Sequence, residues 1–107
     1  MNTEDVTVVR VYLTEKQGVK SVLRYLHDEA GVRGVTEFRG VAGFGRSGTV
    51  HSASLVDLST DLPVVLEFFD APARIQSVVD TLCTMVEPEH ILTWGARVRR
   101  NPAGEGG

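Results

Sequence analysis

Two groups of residues in this chain have the types and spacing to do chemistry. The first is Gly43-Phe44-Gly45-Arg46 with the run behind it, Ser47-Gly48-Thr49-Val50-His51-Ser52. Glycine lets the backbone approach a ligand closely and leaves N–H groups to face an anion. Arg46 adds a charge-assisted contact suited to phosphate. The second group is Arg97, Arg99 and Arg100 near the C-terminus. Nine of the eleven basic residues are arginine, whose planar fork matches phosphate and carboxylate better than an ammonium does. The chemistry on offer is the binding of a small anion, with a recognition loop carried on a rigid scaffold.

Bond-breaking chemistry has little to stand on. No serine sits between glycines as in a nucleophile elbow, and neither a Cys/His pair nor a P-loop is present. Gly43-x-Gly45 follows a strand-like run, but the third glycine and the helix of a dinucleotide site are missing. The chain therefore reads as non-catalytic, with no cofactor. His27, His51, His90 and Cys83 have no spacing that makes one metal shell, so no metal site is expected. His51 reads as a hydrogen-bonded structural residue or as a ligand or pH-sensitive hinge. His27 falls on the polar side of a helix, and Cys83 beside Leu82 reads as core. Trp94 suits packing or a subunit interface. Glu37 and Arg39 share one side of a strand, as a surface ion pair or one between subunits.

These residues need a scaffold, and 107 residues are enough for one domain. A domain of that size buries roughly 60–70% of its unfolded surface. The net charge of −3 comes from mixed signs along the chain, so the basic field needed for nucleic acid is absent. A single cysteine excludes an intrachain disulfide. No signal-like opening and no apolar run near ~20 residues is found, which makes the cytoplasm the expected location.

Residues 6–13 (VTVVRVYL) are rich in β-branched and aromatic types and predict a strand. Thr14 and Glu15 predict the start of a helix with Val19, Val22, Leu23, Leu26 and Ala30 on one stripe and Gly31 at its end. A second strand is predicted over residues 33–41, and residues 53–58 extend a strand or close the loop. Residues 61–63 turn the chain into the strand 64–69 (VVLEFF). Asp70 as cap and Pro72 in the first turn open a second helix. Its apolar side is Ile75, Val78, Val79, Leu82, Met85 and Val86, and Pro88 ends it. The last strand is predicted over residues 90–98. Residues 1–5 and the Gly/Pro-bearing tail 101–107 are expected to be disordered, leaving one domain over 6–100.

The order β-α-β-β-α-β is that of the ferredoxin-like α+β sandwich, a four-stranded antiparallel sheet with two helices on one face. Two helices with one stripe each cover one sheet face. Yet the strands carry apolar residues at successive positions, as strands buried on both faces do. Other copies of the chain are the simplest cover for the second face.

Four segments, residues 9–15 (VRVYLTE), 39–45 (RGVAGFG), 51–54 (HSAS) and 61–67 (DLPVVLE), resemble the family called domain of unknown function 190. The resemblance extends over about residues 6–100. That family is PII-like, similar to the trimeric PII signal-transduction proteins. It implies a homotrimer with adenine nucleotides or other small effectors in clefts between subunits. By the same resemblance residues 40–54 occupy the position of the loop that engages a target protein, with Gly43, Phe44, Gly45 and Arg46 at its base. Ser47, Gly48, Thr49, Val50, His51 and Ser52 would face the partner, which could be a membrane transporter. The loop is shorter than in PII proteins. The turn Glu87-Pro88-Glu89 stands where they carry a Gly- and Lys-bearing phosphate clamp, so Arg97, Arg99 and Arg100 would have to supply the charge. A protein-interaction module without a small ligand and a divalent-metal-binding trimer are the alternatives.

Overall fold

The structure, a computed structural model, describes residues 2–44, 50–52 and 62–101, with the side chains of 50–52 excepted. The valine-rich start forms β1 (Thr3–Thr14), the central strand of the main sheet. It is flanked by β5 (Pro63–Asp70) and β6 (Ile91–Arg99), and β2 (Val35–Arg39) closes the far edge. All three pairings are antiparallel, in the order β2-β5-β1-β6. This is the ferredoxin-like sheet expected from the element order.

Residues 3–5, expected to fray, belong to β1. β6 runs on to Arg99 and gives them a ladder, with Thr3 opposite Arg99 and Asp5 opposite Arg97. Of the expected tail 101–107 all but Asn101, and the candidate strand 53–58, lie outside the described residues.

The first helix is not continuous from Thr14. A 3-10 turn (Glu15–Gln17) comes first, and the Thr14 backbone N–H donates to Gln17 Oε1 at 2.9 Å. Gly18 then takes a left-handed conformation, φ 79°, before α1 (Val19–Arg24). A π-helical turn, Tyr25–Ala30, prolongs α1, and Gly31 ends it at φ 61°. The predicted stripe is intact, with Val19, Val22 and Leu26 buried and Leu23 and Ala30 packed at the margin.

The second helix, α2 (Pro72–Leu82), differs from expectation at both ends. Asp70 is the last residue of β5 rather than the cap, which is Ala71. The Asp70 carboxylate instead takes the Ala71 N–H at 2.7 Å and faces Arg33 and Arg74 at 3.3 and 3.6 Å. The helix stops at Leu82, well before Pro88, so Cys83 and Met85 are exposed. A short 3-10 turn, Pro88–His90, leads into β6.

Between the helices and the sheet lies one core. Val9, Val11 and Leu13 of β1 and Val64, Leu66 and Phe68 of β5 meet Val22, Leu26, Ile75, Val78 and Leu82. Alternation then sends their neighbours to the other face. There the register aligns Phe38 with Val65 and Tyr12, Arg10 with Glu67 and Leu92, and Val8 with Phe69 and Trp94. Tyr12, Phe38, Leu92 and Trp94 are 41, 47, 49 and 39% exposed, so an apolar face stands open.

Candidate functional site

The strand that ends at Arg39 feeds the glycine-rich segment. The Gly40 N–H donates to the Pro63 carbonyl at 2.8 Å, pinning the start of the segment to β5. A two-stranded ribbon follows that the sequence did not suggest. β3 (Ala42–Phe44) pairs with β4 (Val50–Ser52), with Gly43 opposite His51 and Phe44 opposite Val50. A side chain at Gly43 would put its Cβ 2.9 Å from Pro63 Cγ, closer than real contacts allow. The glycine is required by this approach. Phe44 stands 74% exposed at the end of β3. Gly45, Arg46, Ser47, Gly48 and Thr49 lie outside the described residues, as do the side chains of Val50, His51 and Ser52.

A cleft of about 430 Å³ opens at the same end of the sheet. Leu13 comes from the end of β1, beside the Thr14–Pro63 pairing, and Gln17 from the turn after it. Met85, Val86 and Pro88 complete the apolar wall, while Cys83, Thr84, Glu87 and His90 supply its polar groups. No lysine or arginine lines it among the described residues.

The arginine group sits at the opposite end. Arg97 and Arg99 pair with Asp5 and Thr3 at the start of β1, whereas the ribbon and the cleft adjoin its end. From Thr3 and Asp5, opposite the arginines, to Leu13 at the cleft β1 rises about 3.3 Å per residue, a separation of roughly 26–33 Å. One chain therefore does not bring Gly43 and Phe44 together with Arg97, Arg99 and Arg100. Arg100 is also engaged locally, with its Nε 3.9 Å from Glu4 Oε1 and its N–H on the Asn2 carbonyl. Among the described residues Arg97 and Arg99 have no ion-pair partner. Arg97 borders a second hollow, of about 550 Å³, with Asp5, Thr7, Pro72 and Gly95.

Two polar features had not been singled out from the sequence. Arg33 bridges β1 and β5, donating to Glu4 Oε1 at 3.1 Å and to Asp70 Oδ1 at 3.3 Å, with its guanidinium 5.9 Å from the Phe69 ring centroid. The hydrogen bond from Arg33 holds the Glu4 carboxyl below its ordinary value, and the same bond raises Arg33. Arg10 lies on the open apolar face, its Nε 2.6 Å from Glu67 Oε1 and its guanidinium 5.5 Å from the Trp94 ring centroid. The bond to Glu67, and then one to Tyr12, raises the Arg10 pKa. A glutamate inside the apolar run VVLEFF was the signal for this pair. Arg39 meets Glu37 at 2.9 Å and also Glu15, so that pair closes within one chain. His27 is exposed and bonded to Asp28 at 2.7 Å.

Among the described residues no helix is long and apolar enough to cross a membrane. The chain is 35% identical over 60 residues to a UPF0166 protein of Aquifex aeolicus, covering 56% of this chain and 62% of that protein. Its fold is similar to that of CPII from Thiomonas intermedia K12, a nitrogen regulatory PII-like protein bound to ADP, AMP and bicarbonate. That match has a TM-score of 0.74 and 16% identity over 92% of each chain. CutA1 from Oryza sativa is similar too, with a TM-score of 0.62 and 14% identity over 95% of this chain and 87% of that one. Residues 6–98 match domain of unknown function 190, described as an uncharacterized ACR, and the chain belongs to that family.

Proposed function

We propose that the protein is a non-catalytic PII-like regulator that works as a homotrimer. It binds a small anionic effector, an adenine nucleotide, between subunits and presents the segment after Phe44 to a protein partner. The observation that carries this reading is the distance between the two halves of the binding chemistry. Among the described residues the cleft at one end of the sheet has no lining cation, and Arg97 and Arg99 have no ion-pair partner at the other. Packing several copies through the open apolar face offers a way to put one copy's arginines beside another's cleft. The kinship in fold with a PII-like protein solved with ADP and AMP supports the class of ligand.

Regulation then needs the effector to prefer one of two arrangements of the segment, since equal affinity for both shifts nothing. Gly43 and Gly40, held against Pro63, form the fixed base of that segment. Ser47 to Ser52 carry the surface offered to the partner.

The test is titration calorimetry of the purified protein with ATP, ADP, AMP and cyclic AMP, with the oligomeric mass measured on the same sample. Micromolar binding near one site per subunit in a trimer is the expected result. A trimer silent to every nucleotide would leave a protein-docking module. A second reading is a divalent-metal-binding trimer; Cys83 and His90 both line the cleft, but among the described residues no three metal-ligating side chains come together. Titration with copper or zinc separates it from the first.

A further inference from the structure

We infer that the cleft selects its effector by charge, and that Glu87 sets the limit. The inference rests on the reading of the cleft as the effector site and adds which nucleotides it takes. Gln17 Oε1 is occupied by the Thr14 N–H, so the amide NH2 of Gln17 is left to donate. Thr84 Oγ donates to the Thr81 carbonyl at 2.6 Å, which leaves its lone pairs to accept. The Gln17 donor and the Thr84 acceptor, with His90 on the same wall, lie beside the apolar Leu13 and Val86 and suit the edge and faces of a heteroaromatic base.

The charge on the cleft wall is of the wrong sign for a polyphosphate. Glu87 is exposed on that wall and, among the described residues, has no ion-pair partner and stands in a lining without Lys or Arg. A phosphate held by arginines of a neighbouring copy can be accommodated. Each further phosphate brings more negative charge toward the Glu87 carboxylate, in a partly open cleft where two like charges several ångströms apart repel measurably. The geometry thus favours a nucleoside monophosphate, linear or cyclic, over a triphosphate.

The experiment is calorimetric titration of the assembled protein and of Glu87→Gln with AMP, ADP and ATP, free of divalent metal, at low and at physiological salt. AMP should bind about tenfold more tightly than ATP to the natural protein. Glu87→Gln should narrow that ratio by at least about threefold, because it relieves ATP more than AMP, and salt should narrow it in the natural protein. The oligomeric mass of the variant checks that it assembles. ATP binding as tightly as AMP, or a ratio unmoved by Glu87→Gln, overturns the charge limit and leaves the effector site standing. Absence of binding by all three nucleotides overturns the site and the limit together.

Discussion

Single residues decide both how the glycine-rich segment is anchored and how acid acts on the fold. At Gly43 the reason for glycine is steric, because Pro63 cannot rotate its ring away from an incoming Cβ. Gly43→Ala should cost about 1–3 kcal/mol in urea denaturation, the range of an overpacked contact. Pro63→Ala in the same chain should recover much of that cost, and simple additivity of the two changes would refute the contact as its cause. Arg33 acts through charge. Its hydrogen bond lowers the folded pKa of Glu4 from 4.5, so the pair's contribution is complete above that value. It is lost as pH falls through the lower folded value, where the carboxylate must take up a proton. In Arg33→Met the fall in stability below about pH 4.5 should become shallower, as read from denaturation midpoints measured from pH 3 to 7. An unchanged slope would assign the acid sensitivity to other carboxylates.

Elements show where sequence reasoning succeeds and where it stops. The Asp70-Ala71-Pro72 run looks like a helix start and is one, but Asp70 does not cap it. Its carboxylate, 6% exposed, lies between Arg33 and Arg74 at the end of β5. Asp70→Ala should destabilise by about 1–3 kcal/mol, since it removes a charged acceptor shared by two half-exposed arginines that keep other partners. Asp70→Ser separates the roles in thermal denaturation, because serine caps helices as well as aspartate but cannot pair with the arginines. Recovery of stability by serine would restore the capping role. Periodicity made β1, β5 and the stripes of α1 and α2 legible, because burial imposes spacings of two and of three to four on apolar residues. It could not reveal Gly18 in its left-handed break, the ribbon of β3 and β4, or the end of α2 at Leu82. Those depend on backbone pairing and local turns that leave no apolar period. The two candidate groups, the glycine-rich segment and the C-terminal arginines, were legible as residue types. Their placement at opposite ends of the sheet was not, because it follows from strand order and direction. The cleft has the same origin, as Leu13, Gln17 and the residues after Leu82 meet only once β1 and α2 are packed.

The whole molecule carries one imbalance, a sheet with its second face uncovered. Phe38, Tyr12, Leu92 and Trp94 span all three layers of the register on that face, and the Arg10–Glu67 pair lies among them. Burying large side chains that are about half exposed releases favourable free energy at roughly 25 cal/mol per Å² of apolar surface. The same burial leaves Arg10 and Glu67 matched to each other, so covering the face strands neither charge. Phe38→Glu tests both the interface and its link to binding. The site is 47% exposed on an edge strand, so a lone subunit tolerates the change, whereas an assembly would repeat an unpaired carboxylate in every buried copy. The expected outcome is a monomer by sedimentation with an unchanged circular dichroism spectrum. Nucleotide binding should disappear with the assembly if, as proposed, another copy's arginines complete the cleft. A trimer that persists would move the interface off this face. A monomer that still binds AMP with full affinity would show that one chain completes the site alone, and the separation of cleft and arginines would then have no functional meaning.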